Sequence, residues 1–263
     1  MIQILSMLIY NADIRNFFTG TISRSPAKAA CVPGLNCYSC PGAVSSCPLG
    51  ALQNTLAGGT VPFFITGFLF LAGALLGRTV CSFLCPFGLL QEILYKIPSK
   101  KIIRTKKLLA VTRKASLLKY VILLVLCIAM PIAFCLRNGL GSPFFCSWLC
   151  PQGTVSAGWP LVLLNESLRS AAGRLFVWKS AVALAIIVWS VFMFRPFCRF
   201  FCPLGAIYSF FNRTAIFGIK VDASKCTNCG ACVAACKMDA LHINDRECIR
   251  CGDCKAACKT GAL

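Results

Sequence analysis

Cys226-Thr227-Asn228-Cys229-Gly230-Ala231-Cys232-Val233-Ala234-Ala235-Cys236 begins the stretch on which this chain turns, and Cys248-Ile249-Arg250-Cys251-Gly252-Asp253-Cys254-Lys255-Ala256-Ala257-Cys258 ends it. Both runs read C-x2-C-x2-C-x3-C. Three closely spaced thiolates wrap one face of an Fe4S4 cube, and the fourth cysteine of such a run ligates the neighbouring cube. The expected sets are Cys226, Cys229, Cys232 and Cys258 for one cluster, and Cys248, Cys251, Cys254 and Cys236 for the other. Gly230 and Gly252 fall where the loop must pass close to a cluster without a side chain. Structural zinc rarely uses three cysteines at this spacing. Lys237 and Lys259 follow the fourth cysteines, where this pattern usually has proline; their charge favours reduced, more negative clusters.

This is the ligand spacing of a bacterial two-cluster ferredoxin, so residues 218–263 read as a small α+β domain of that type. The rest does not resemble a soluble protein. Of 263 residues, 57% are hydrophobic and 13% charged, a balance that points to a membrane. A formal charge of +19 would suit nucleic acid or an anionic lipid surface. Here the cations cluster beside apolar spans, and cluster-bound thiolates would offset part of the charge, so no nucleic-acid binding is expected. Twenty cysteines in ferredoxin spacing argue for metal-bound thiolates rather than disulfides. Met1 to Tyr10 is apolar, with no basic region before it and no small-residue cleavage site, and does not read as a signal peptide.

Residues 1–217 carry four apolar segments, so three or four membrane spans are expected. Ile2 to Phe18 is interrupted by Asn11, Asp13 and Arg15, and either spans or lies at the interface. Val61 to Gly77, Leu117 to Leu136 and Trp178 to Phe194 are nearly free of charge. At about 1.5 Å per residue they reach roughly 25–30 Å, against a bilayer core of about 30 Å. Gly67, Gly73 and Gly77 would allow close helix packing. Residues 78–119 hold ten Lys or Arg, residues 19–60 only Arg24 and Lys28, and residues 137–179 four. The positive-inside rule then places loop 78–119 and everything after Arg195 in the cytoplasm. The basic run Lys96, Lys100, Lys101, Arg104, Lys106, Lys107, Arg113 and Lys114 suits anionic lipid heads, or an acidic electron carrier.

Each apolar segment leads into the phrase Cys-Pro-x-Gly: Cys47 to Gly50, Cys85 to Gly88, Cys150 to Gly153 and Cys202 to Gly205. In the last three copies a second cysteine precedes by four, namely Cys81, Cys146 and Cys198. In the first, the earlier cysteines are Cys31, Cys37 and Cys40. Proline is pre-set for the first helical position, so the cysteine before it sits at a helix N-terminus. There the dipole and free amides favour a thiolate and an anionic cluster. Two such elbows supply four ligands, and two further iron–sulfur clusters, Fe4S4 or Fe2S2, are expected in the helical domain. Alternation across the membrane puts Cys81, Cys85, Cys198 and Cys202 on the cytoplasmic side as one site. On the outer side six cysteines compete for four places: Cys37, Cys40 and Cys47 are favoured, with one of Cys146, Cys150 or Cys31.

The segments GRTVCSFLCPFG (77–88) and RPFCRFFCPLG (195–205), followed by the two-cluster tail, resemble the membrane-bound polyferredoxins, which include NapH-like, NosR-like and CcoG-like proteins. The resemblance covers the chain from about residue 30 and implies electron transfer at a bacterial or archaeal cytoplasmic membrane, in some members the maturation of a metalloenzyme. The third elbow and the segment NCYSCPGAVSSCPLGAL (36–52) go beyond the simplest two-elbow pattern. No flavin domain, phosphate loop, dinucleotide fingerprint or nucleophile–base set is visible. His242, the only histidine, reads as a surface residue and rules out a bis-histidine haem within one chain. Cys127 and Cys135 read as packing residues, and Glu92 and Glu166 as helix-surface polar residues or proton relays to a quinone. The expectation is an electron-transfer component rather than a stand-alone enzyme. It relays electrons through the clusters, in either direction, between a cytoplasmic carrier and a flavoprotein or quinone in the membrane or at its outer face. The rival reading is a maturation or metal-reductase factor.

Overall fold

The computed structural model describes residues 2–102 and 106–263; Arg104 of the basic run lies outside them. The protein is mainly helical. Among the described residues no strand occurs, and one isolated parallel bridge joins Cys31 to Ser46. The α+β tail expected from the spacing is therefore an all-helix-and-turn tail. Its two helices, Ala231–Ala234 and Asp253–Ala257, are short. Where its ends meet, Asp222 N–H donates to Ala262 O at 2.8 Å, one bond where a strand needs a ladder.

Among the described residues, two helices are long and apolar enough to cross a membrane, Lys107–Asn138 and Arg174–Phe192. Only 22% and 17% of their most apolar windows are buried, whereas the core helix of a soluble protein would be covered. Val121, Leu124, Val177, Leu184 and Val188 are all exposed. Such an unpartnered apolar surface suits lipid. The helix Phe63–Leu76 is apolar but has only 14 residues, about 21 Å long. The first segment is shorter still. It forms a nine-residue helix, Ile2–Tyr10, about 14 Å long, that ends before Asn11. Of the three or four spans expected, two are of full length among the described residues. Lys107–Asn138 also begins ten residues before the expected span, so the basic residues Lys107, Arg113 and Lys114 lie on the same rod.

The buried core is centred on the elbows, and the spans add only a few residues to it, such as Ile122, Cys127 and Ile186. It gathers Cys47, Leu49, Cys81, Cys85, Phe87, Phe145, Phe197, Cys198, Cys202, Leu204 and Tyr208. The long helices stand around it. At one end, Ile102 N–H bonds Phe192 O at 3.2 Å, and Ile216 N–H bonds Ala74 O at 3.0 Å. At the other end, Gly141 N–H bonds Ala57 O at 2.8 Å. The C-terminal tail packs at the first of these ends.

Candidate iron–sulfur sites

The elbow geometry follows from its local chemistry. Cys47, Cys85, Cys150 and Cys202 are each the N-cap of a helix whose first residue is the proline. Free amides of the first turn then face the sulfur, and Gly205 N–H donates to Cys202 Sγ at 3.4 Å. The first cysteine of each C-x3-C pair rides on its own five-residue helix: Thr79–Phe83, Phe144–Trp148 and Pro196–Phe200.

The elbows meet in two pairs. In the first, Cys81, Cys85, Cys198 and Cys202 are all buried. Burial pushes the Cys198 thiol up to about 12; Arg195 opposes the shift, and the thiols of Cys85 and Cys81 add to it. Cys202 is raised well above its ordinary value by burial and by Cys198, Cys81 and Cys85. Arg195, itself fully buried with φ at +48°, gives Nη1–H to Cys81 O at 2.5 Å and pairs with Glu92 Oε1 at 2.8 Å.

In the second, Cys37, Cys47, Cys146 and Cys150 line one cavity of about 200 Å³, with Lys179 at its wall. Lys179 Nζ donates to Cys146 O at 3.1 Å. Burial holds Cys37 up at about 12, with Cys150 adding to the shift. Cys40 and Cys31 do not line this cavity. Cys40 Sγ donates instead to Ser156 O at 3.2 Å, and Cys31 sits in the bridge to Ser46. The favoured trio Cys37, Cys40 and Cys47 is thus replaced in the lining by Cys37, Cys47 and the whole third elbow. The reason is local: Cys37 lies against the third elbow, where a Cβ on Gly153 would stand 3.2 Å from Cys37 Sγ, while Cys40 packs with Ala43 and Ala157.

The tail has two cavities. One is lined by Cys226, Cys229, Cys232 and Cys258. The other is lined by Cys236, Cys248, Cys251 and Cys254, with Cys232 at its edge. The fourth cysteine of each run therefore stands with the other run's three. Gly230 (φ +74°) and Gly252 (φ +91°) cap the two short helices in the left-handed conformation that favours glycine. His242 is exposed and lies at the rim of both cavities. Lys237 Nζ pairs with Asp253 Oδ2 at 3.1 Å, so its charge is shared.

The donor sets fit polynuclear iron–sulfur groups. Among the described residues no three His, Cys, Asp or Glu are gathered closely enough for a single metal ion. At three of the four sets the thiols instead surround a cavity. Beside the first pair of elbows, Thr79 Oγ1, Ser82 Oγ and the Nε groups of Arg78 and Arg195 are buried without a hydrogen-bond partner, as donors awaiting an anionic group would be.

Residues without cysteine tie the sites together. Tyr208 is fully buried, and its hydroxyl donates to Pro33 O at 2.9 Å. Burial raises its phenol well above the ordinary value, with Cys81 and Cys85 of one elbow pair and Cys47 of the other adding to the shift. The rings of Phe145 and Phe197, one from each pair, are 6.5 Å apart. Along Arg174–Phe192 the second pair is met at Lys179, and the first at Trp189, which stacks on Phe200 at 5.3 Å. Ten helical residues separate these levels by about 15 Å, half the hydrocarbon thickness. The two sites are therefore neighbours in the molecule, contacted at levels of this helix about 15 Å apart.

The tail is bolted to the first pair. Arg78, fully buried, gives Nη1–H to Arg246 O at 2.7 Å and Nη2–H to Cys198 O at 3.4 Å. Glu247 accepts from Arg78 and from Lys119, at 2.9 and 2.5 Å. Asn212 Nδ2 donates to Cys248 O at 2.7 Å, and Arg250 bonds back to Asn212 O, to Leu76 O at 3.1 Å and to Phe217 O at 2.7 Å. Sequence reasoning passed over these residues. One signal was present: Lys119 is a lone lysine in an apolar run, and such a residue needs a partner. Cys127 is fully buried in the core, while Cys135 is half-buried.

Three thiol-lined cavities and a fourth, buried set of four thiols in a helical protein, two of the sets spaced as in ferredoxins, define an iron–sulfur protein. Comparison with known proteins names the family. A 4Fe-4S binding domain model matches residues 58–105, 120–162 and 176–222, together more than half of the chain, and a second 4Fe-4S binding domain model matches 219–242. The chain belongs to the polyferredoxin-like 4Fe-4S family. An uncharacterised protein of Methanocaldococcus jannaschii is 29% identical over 73% of this chain and 73% of its own length. The regulatory protein NosR of Pseudomonas aeruginosa is 28% identical over 70% of this chain, which spans 24% of NosR. The ferredoxin-type protein NapH of Haemophilus influenzae is 28% identical over 37% of this chain and 48% of its own. No solved structure matches.

Proposed function

We propose that this is an integral membrane electron-transfer protein whose four cysteine sets hold iron–sulfur clusters in series. The chain runs from the tail set of Cys226, through that of Cys248, to the elbow site of Cys81, Cys85, Cys198 and Cys202, and on to that of Cys37, Cys47, Cys146 and Cys150. When bound, the clusters supply reversible one-electron chemistry; the protein supplies thiolates, amides and spacing. The observation that carries the reading is continuity: Arg78 touches the backbone of Cys198 and that of the tail at Arg246. Tyr208 and the Phe145–Phe197 contact continue the path to the second elbow site.

The tail faces the cytoplasm in this reading, where a soluble carrier exchanges electrons with it. A flavoprotein or quinone partner works at the membrane, beside or beyond the second elbow site. The basic residues around Lys107–Asn138 meet anionic lipid. Iron and acid-labile sulfide per chain, measured on anaerobically purified protein in detergent, test the proposal. About 16 of each support four cubane clusters. About 8 of each would mean a loaded tail and empty elbows; the relay would then fail, and a thiol- or metal-reducing maturation role would take its place.

A further inference from the structure

Two glutamines, Gln53 and Gln91, stand in the same relation to the two elbow sites. Each lies six residues after an N-cap cysteine, in Cys47-Pro48-Leu49-Gly50-Ala51-Leu52-Gln53 and Cys85-Pro86-Phe87-Gly88-Leu89-Leu90-Gln91. Each is essentially without solvent, at 0% and 1% exposure. Gln53 Nε2 donates to Cys146 Sγ at 3.3 Å, and Gln53 Oε1 accepts from Phe145 N–H at 3.0 Å. Gln91 Nε2 donates to Cys198 Sγ at 3.1 Å, and Gln91 Oε1 accepts from Phe197 N–H at 3.1 Å. Each amide also reaches its own helix, at Leu49 O and Phe87 O. The third and fourth elbows have Ser156 and Tyr208 at this position. The elbows are thus of two kinds. The first and second bring a glutamine. The third and fourth bring a Phe-Cys pair that receives it.

We propose that Gln53 and Gln91 are positioning residues that fix which elbows pair and hold an N–H against one ligand sulfur of each site, raising that site's reduction potential. The inference rests on reading the two elbow sites as iron–sulfur ligand sets. The physics is direct. A cluster gains negative charge on reduction, and part of it resides on the sulfurs. A buried N–H directed at one sulfur stabilises the reduced form more than the oxidised form, and low surrounding polarity enlarges the difference. The same amide satisfies the Phe N–H at the start of the partner's short helix, a group that would otherwise be buried without an acceptor. One side chain therefore does two jobs, and each job calls for a different end of the amide. Glutamate would keep the acceptor and lose the donor. Methionine would keep the length and lose both.

The test is an anaerobic redox titration followed by electron paramagnetic resonance, on the full chain in detergent, with iron counted in parallel. Gln91→Met and Gln91→Glu should each shift one cluster's potential to more negative values and leave the others in place, the glutamate variant further because it sets a carboxylate oxygen against the sulfur. Gln53→Met should shift a different cluster. A purely structural clamp would lower thermal stability and leave all potentials unmoved; that result, with iron retained, overturns the proposal. Should Gln91→Met lose iron, Gln91→Glu decides alone, since it retains the acceptor for Phe197 N–H. Loss of iron from both Gln91 variants would mark a purely structural role and overturn the tuning. Absence of elbow iron from the unaltered protein would refute the ligand assignment itself, a separate failure visible before any variant is made.

Discussion

Arg78 Nη1 stands 2.9 Å from Glu247 Oε2, a fully buried guanidinium of the helical domain against a carboxylate next to Cys248 of the tail. Lys119 approaches the other oxygen of the same carboxylate at 2.5 Å. One anion therefore holds two buried cations, one from the turn before Thr79–Phe83 and one from the helix Lys107–Asn138. Buried pairs add little net stability when complete, but breaking one strands a charge and costs about 3–5 kcal/mol. Glu247→Gln should thus destabilise the docked tail by about that much, because it strands both Arg78 and Lys119. The combined change Glu247→Leu, Arg78→Met, Lys119→Met should cost less than Glu247→Gln alone. Limited proteolysis between residues 217 and 226 reads the release, and magnetic coupling between tail and elbow clusters should fall with it.

The same carboxylate makes docking sensitive to acid. Burial alone would raise the pKa of Glu247, but Arg78 and Lys119 outweigh it and the net shift is downward. A group depressed on folding contributes stability that is full above its unfolded value, about 4.3, and is lost as pH falls through its lower folded value. The tail should stay docked through neutral and mildly acidic pH and release only below the ordinary carboxylate range. Glu247→Gln should abolish that step in a pH-dependent proteolysis series.

Ligand variants separate the two elbow sites. Cys198→Ser should remove about four irons and leave the second elbow site filled, while Cys150→Ser should do the reverse. Cys40→Ser and Cys31→Ser should leave iron unchanged, because neither lines the cavity of Cys37, Cys47, Cys146 and Cys150. Iron analysis with resonance spectra of the remaining clusters checks each case. Simultaneous loss from both elbow sites in Cys198→Ser would show that the pairing is wrong.

Chelation should empty the sites in order of exposure. Cys229 is exposed, and Cys226, Cys232 and Cys258 are half-buried. Cys81, Cys85, Cys198 and Cys202 are all buried. An iron chelator added to the intact protein should first remove the cluster of the Cys226 set, and last that of Cys81 and Cys85. Timed iron release with spectra at each step would contradict this if elbow signals disappeared first.

Glycines in Phe63–Leu76 should respond unequally. A Cβ on Gly73 would meet the Phe211 ring at 2.5 Å, whereas nothing lies within 4 Å of one on Gly67. Gly73→Ala should cost about 1–3 kcal/mol through overpacking. Gly67→Ala should be neutral or gain up to about 1 kcal/mol from helix propensity. Thermal unfolding in detergent distinguishes them.

Local chemistry was the legible part of this chain. Cysteine before proline predicts a thiol at a helix N-cap, and all four elbows have it, because both signals lie within one turn. Glycine at 230 and 252 predicts a backbone that other residues rarely adopt, and both have positive φ. What depends on distant partners was not legible. Cys37 and Cys40 look equivalent in the sequence; only the approach of the third elbow distinguishes them. Lys119 reads as a topology marker, and its partner lies 128 residues away. The glutamines were visible as a repeated C-P-x-G-x-x-Q phrase, but buried glutamine in a helix signals nothing until its partner sulfur is known. The span count was least legible at Ile2–Phe18, where polar interruptions left two readings open; the helix there has nine residues, Ile2–Tyr10.

The crossing of elbows also sets an order in time. The first elbow pairs with the third, and the second with the fourth, so a chain emerging from the ribosome carries two unmatched halves until Cys150 appears. The site of Cys37 and Cys47 then has its full complement, some fifty residues before Cys202 completes the other. The tail sets close last, at Cys254 and Cys258, and Glu247 reaches Arg78 only at that stage. If all four sets hold clusters as proposed, insertion follows the order in which the sets are completed, from the interior outward, with the more accessible tail sets after the buried elbows.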